Sequence, residues 1–189
     1  MVIPEDPTND QYILKPIVEQ LFAGLGKSPR VQVLANPRLH GVSQALSAAV
    51  LADIVAMYPM VDLFLVLVDR DAEPKRPSQA NERTQEHPDR LFVCLAIEEV
   101  EVWMLALHRD SLDTPWTEVR AERDPKERFA QPFLTARAPK LGPGGGRVWA
   151  MRELGAKWKG VLKVCPELTE LEQTVQGWLS RRAGGERTA

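Results

Sequence analysis

Carboxylates follow short apolar runs at three separated places in this chain. Glu5 comes after Met1-Val2-Ile3, Asp69 and Asp71 flank Arg70 after Leu63 through Val68, and Glu98, Glu99 and Glu101 come after Leu91 through Ile97. If those runs are parallel strands of one sheet, their carboxyl ends share a rim, the place where open α/β sheets bind ligands. Carboxylates bunched on such a rim repel one another, and a divalent cation resolves the repulsion. A hard ion such as Mg2+ (Mn2+ is an alternative) keeps several waters, so two or three carboxylates suffice and histidine is unnecessary. The chemistry such a site serves is phosphoryl transfer, where an ion neutralises the phosphate oxygens and orients a nucleophile.

Within the triplet, Asp69 and Asp71 leave the same face if the strand persists through both, and can then share an ion. The plainer reading makes Asp-Arg-Asp the start of a polar loop, with Asp71 capping a turn. Glu101 falls in the first turn of the helix after the last strand and is kept as a further ligand. Glu98 and Glu99 read as favourable contacts with the positive end of that helix, and Asp10 as a helix N-cap.

The elements that must position these groups alternate. Met1-Val2-Ile3 is a minimal strand that Pro4 ends, because proline offers no amide hydrogen. Apolar residues at helical spacing from Ile13 to Leu25 predict a helix closed by Gly26, Val31–Leu34 reads as a second strand, and Ser43 caps a helix to about Tyr58. Leu63–Val68 is apolar throughout, as suits a central strand covered on both faces. A short helix over 78–86 and a fourth strand over 91–97 follow, then a helix with Val100, Trp103, Met104 and Leu107 on one face. Four strands alternating with helices predict an α/β fold with a parallel sheet over residues 1–110. Residues 111–189 predict a Pro/Gly-containing, mainly helical extension packed on it, with a last helix from Leu168 to Arg182.

With 44% hydrophobic residues among 189, the chain can bury a full core. The two cysteines, Cys94 and Cys165, form no disulfide framework and no zinc motif, which fits a reducing cytoplasm. Asp53 interrupts the apolar run from Ala45 to Tyr58 before it could span a bilayer, so a soluble, cytoplasmic protein is expected. Residues 120–189 hold 14 Lys+Arg against 8 Asp+Glu, leaving 10 against 18 for the rest. That basic half could face a polyanion or simply be solvated. Its candidates for nucleic-acid contact are Lys140, Arg147 after the Gly142–Gly146 stretch, and Lys157 and Lys159 around Trp158, although a flexible glycine connector and a buried Trp158 with solvated lysines explain the same residues.

The order Glu5-Asp6-Pro7-Thr8-Asn9-Asp10 with Leu14, then Val66-Leu67-Val68-Asp69-Arg70-Asp71, then Ala96-Ile97 through Glu101-Val102-Trp103-Met104-Leu105-Ala106 resembles the Toprim domain shared by topoisomerases, bacterial primases and overcoming-lysogenization-defect nucleases. It is most similar to the short Toprim-like bacterial proteins with a Glu-x-Trp-x-Leu third motif. The resemblance implies a Toprim-like Rossmannoid fold. It assigns Glu5 to the scissile phosphodiester, Asp69 and Asp71 to Mg2+, and Glu101 to the metal or its surroundings. It departs at Asp6, where a glycine is usual, and at Pro4. The activity implied is metal-dependent cleavage of DNA or RNA, in a setting such as phage defence with an ATPase supplied by another chain, since no nucleotide-binding motif occurs here. Two alternatives stand beside it: a non-catalytic module that binds nucleic acid or a partner ATPase, and a phosphatase of the haloacid-dehalogenase type, whose Asp-x-Asp normally belongs to the first strand of the domain, whereas here it follows the third.

Overall fold

The sheet in the computed structural model, which describes residues 1–139 and 142–185, starts with Val2–Ile3 (β1). Helix α1 (Gln11–Gly24) follows, then α2 (Val42–Ala45) and α3 (Ala48–Met57), and the chain re-enters the sheet as β2 (Phe64–Asp69). After α4 (Arg76–Glu86) comes β3 (Leu91–Ala96), and after it α5 (Glu101–Ala106). The order is β1-β2-β3, all parallel, with Ile3 opposite Val66 and Asp69 opposite Ala96.

Three strands form where the sequence predicts four. Val31–Leu34 contributes a single bridge, Val33 to Val2, in which Val2 N–H donates to Gln32 O at 2.7 Å and Leu34 N–H to Val2 O at 2.8 Å. The ladder stops there because β1 offers only two residues before Pro4, which has no amide to extend it. β2 is the central strand and is buried along its whole length, as its unbroken apolar run requires. Leu65 and Leu67 face one core with α1 and α5, whereas Phe64, Val66 and Val68 face a second core with Leu51, Ile54 and Val55 of α3. The expected single helix to Tyr58 is broken by Ser47, which is extended (φ −73°, ψ 124°) between α2 and α3.

The segments after residue 110 are helical: α6 (Trp116–Ala121), a π-helical turn (Lys126–Ala130), α7 (Gln131–Arg137), α8 (Arg147–Ala150), α9 (Leu154–Val164) and α10 (Pro166–Gly185). Leu134, Trp158, Leu168 and Val175 join Val2, Leu65 and Trp103 in the larger core. Trp103 is fully buried, and its indole N–H donates to Glu167 Oε1 at 2.8 Å, a carboxylate that Arg120 also clamps with both terminal nitrogens at 2.8 and 2.9 Å. Cys94 and Cys165 are buried free thiols, and no helix among the described residues is long and apolar enough to cross a membrane.

Candidate functional site

Parallel pairing gathers the carboxylates on one rim. Glu5 lies two residues beyond β1, Asp69 is the last residue of β2, and Glu101 opens α5 just past β3. Glu5 and Asp69 act on one another's titration, Asp71 acts on Glu5 through its charge, and Asp69 also feels Glu101 and Asp10. Asp69 is buried, and its Oδ1 accepts the Val100 amide at 2.8 Å. Desolvation, reinforced by the Glu5 and Glu101 charges, pushes its pKa up to about 9, and desolvation with the Asp71 charge raises that of Glu5 as well. Glu5 Oε2 is buried with no hydrogen-bond partner, an acceptor left for a proton or a cation.

Asp71 reaches the rim by another route than strand alternation. β2 ends at Asp69, and Asp71 (φ 48°) and Ala72 (φ 50°) take left-handed conformations in the following turn. The Asp71 side chain is 46% exposed and pairs with Arg76 Nη1 at 2.7 Å, while the same guanidinium nitrogen donates to Asp69 O at 2.7 Å. Glu98 stabilises this turn from below: it is buried at φ 63°, accepts the Ala72 amide at 2.5 Å and pairs with Arg70. The helix-dipole reading of Glu98 is therefore replaced by a role in holding the Asp71 loop. Glu99 accepts the Lys126 amide at 2.7 Å, and burial lifts it to about 7.

Asp10 makes no cap bond to α1. Its side chain is buried, accepts the Asp6 amide at 3.3 Å, and is driven to about 7 by desolvation and the Glu101 charge. Its carboxyl belongs to the acidic cluster rather than to the cap that the local helix-start pattern suggests.

Glu101 is 1% exposed and already holds two cations, Arg147 Nη2 at 2.5 Å and Lys126 Nζ at 3.8 Å. Arg147 is correspondingly buried, at 6% exposure, and its Nη1 donates to Gly144 O at 3.2 Å. The expectation that Arg147 contacts a nucleic-acid backbone is thus overturned, because the side chain points inward to the acidic cluster. The glycines before it form a built turn instead of a loose connector: Gly144 (φ 78°) sits so close to Tyr12 that a Cβ there would lie 2.5 Å from the ring, and Gly146 (φ 89°) would clash with Ala138 at 2.9 Å. Only glycine supplies both the left-handed backbone and the close approach. Lys126 arrives from the π-helical turn, a geometry often found at functional sites.

Of the remaining basic candidates, Lys140 lies outside the described residues. Lys157 pairs with Glu153 at 2.5 Å and donates to Leu107 O at 3.1 Å, Lys159 is exposed, and Trp158 between them is buried, its N–H donating to Glu172 at 3.0 Å. The cations whose fields act on the rim are Arg76, Lys126 and, through Asp6, Arg38. None of the three was singled out in the sequence, because each approaches from a loop or helix remote from the carboxylate it serves.

Among the described residues, no three His, Cys, Asp or Glu side chains stand in an arrangement that could hold a metal ion as they are. What remains open is a pair, Glu5 with its unpartnered Oε2 and Asp69, which fits the habit of Mg2+ of binding through one or two carboxylates and keeping its waters. Comparison of the chain with protein-family models, with curated proteins and with solved structures gave no match.

Proposed function

We propose that the chain is a Mg2+-dependent phosphodiesterase of the Toprim type that cleaves DNA or RNA at the carboxyl rim of its sheet. The observation that carries this reading is the gathering of Glu5, two residues past β1, and Asp69, the last residue of β2, on one rim, with a buried Glu5 oxygen that has no hydrogen-bond partner. Charge crowding supports it. Glu5, Asp10, Asp69, Asp71 and Glu101 gather on one rim with Arg76, Lys126 and Arg147 among them, and the repulsion that raises Glu5, Asp10 and Asp69 is the kind a divalent cation relieves. Glu5 and Asp69 would hold the ion, with Asp71 joining on release from Arg76. Bound there, the ion would neutralise phosphate oxygens and favour a hydroxide nucleophile. Glu5 would also orient the attacking water, and Arg76, Lys126 and Arg38 would attract the phosphate backbone to an otherwise acidic rim.

The test is cleavage of plasmid, single-stranded DNA and RNA panels with Mg2+ or Mn2+ and with chelator. Asp69→Asn is expected to abolish ion-dependent cleavage, and absence of cleavage in every panel refutes the activity for the isolated chain. The ion pairs Asp71–Arg76 and Glu101–Arg147 favour one second reading, a metal-independent module that binds nucleic acid or a partner ATPase. Calorimetry separates the two: ion binding lost in Asp69→Ala with Asp71→Ala supports the enzyme, and no binding in either protein supports the module. Hydrolysis of small phosphate monoesters with a trapped aspartyl phosphate would select the phosphatase instead.

A further inference from the structure

A cavity of about 720 Å3 opens at the amino end of the sheet, the rim opposite the carboxylates, between the last turns of α1 and α3 and the far half of α10. Its volume lies within the range of small-molecule sites. Phe22, Leu63 and Trp178, all buried, supply apolar walls, and Met57 and Met60 stand at its mouth, Met60 with 91% of its surface in water. The flexible thioethers of these methionines can adapt to varied apolar shapes.

The charges around the cavity are one-sided. Lys27 and Arg30 line it, and among the described residues neither is in an ion pair. The acidic lining residue Asp62 is already satisfied by Arg182 Nη2 at 2.8 Å. An apolar chamber lined, among the described residues, by two unpaired cations, beside a Met1 ammonium that donates to Leu63 O at 2.6 Å, selects a ligand with a hydrophobic body and an anionic end. Neither a neutral hydrocarbon nor a cationic amphiphile answers both features, and a polyanion would have no use for the apolar walls.

We infer that this cavity is a binding site for an amphipathic carboxylate, its acyl or aryl body against Phe22, Leu63 and Trp178 and its carboxylate between Lys27 and Arg30. The site stands apart from the carboxylate rim and does not depend on the reaction assigned there.

The test is calorimetry of the full chain with decanoate, decanol and decyltrimethylammonium, each below its micellar concentration. Saturable binding of decanoate at one per chain is expected, with weaker binding of decanol and none of the cation. The double variant Lys27→Ala with Arg30→Ala should weaken decanoate about tenfold, in line with two partly exposed charge contacts, and leave decanol unchanged. Val31→Phe, which fills part of the chamber, should weaken both, and because the charge variants lie on the surface the outcome does not hang on that substitution folding. Absence of saturable decanoate binding, equal binding of anion and cation, or a double variant that binds like the native chain would each overturn the assignment.

Discussion

Arg147→Met is the perturbation that bears hardest on the site as described. Arg147 lies on a glycine turn within a basic stretch, a setting that suits a solvent-facing phosphate contact, yet in the fold it is buried against Glu101, which is itself almost inaccessible. Methionine keeps most of the apolar length and removes the charge, so Glu101 is left with Lys126 alone, 3.8 Å away. Breaking one side of a buried ion pair costs about 3–5 kcal/mol, and the residual Lys126 contact places this case near the lower figure. For a chain of this size about 1 kcal/mol moves Tm by roughly 2–4 °C, so Arg147→Met should lower Tm by about 6–12 °C and shift the urea midpoint without changing the slope. Glu101→Gln in the same background removes the stranded charge and should restore part of the loss, with a coupling of about 1–3 kcal/mol in the four-member cycle. A single variant within about 0.5 kcal/mol of the native chain, the range of ordinary surface changes, would show that Arg147 does not offset the buried Glu101 charge and would refute that pairing.

Two further outcomes follow from the same geometry. Asp10 and Asp69 have folded-state pKa values raised to about 7 and about 9 against about 3.9 unfolded, so their protonated forms favour folding. That contribution is complete below about pH 4 and is lost as pH rises through 7 and then 9. The ion-free chain should therefore lose stability between pH 5 and pH 9 in urea titrations followed by circular dichroism, and Asp10→Asn should flatten the lower part of the decline; stability that rises across this window would contradict the burial of these groups. Gly144→Ala, at φ 78° and with its Cβ 2.5 Å from Tyr12, should destabilise by more than about 1 kcal/mol, and a thermal melt equal to the native one would show the turn to be slack.

Legibility differed by element. The strand from Phe64 to Asp69 was plain because two-sided burial writes itself as an uninterrupted apolar run, and the helix from Ile13 to Leu25 was plain because its buried face repeats at helical spacing. Val31–Leu34 has the composition of a strand, but whether it pairs depends on how many residues its neighbour offers, and Pro4 limits β1 to two. Asp71 does not leave the sheet on the same face as Asp69 by strand alternation: β2 ends at Asp69, and the place of Asp71 comes from a left-handed turn fastened by Glu98 and Arg76.

The order of elements, the central strand and the three carboxylate positions at strand ends were set by local pattern, since side-chain periodicity and strand length are properties of neighbouring residues. The partners of those carboxylates were set only by the tertiary fold. Arg147 and Lys126 meet Glu101 from 46 and 25 positions along the chain, and Asp10 becomes acidic-cluster rather than helix cap because of what is packed above it. Desolvation and pairing depend on distance in space, and no local spacing encodes which distant cation will lie within 4 Å of a buried carboxylate.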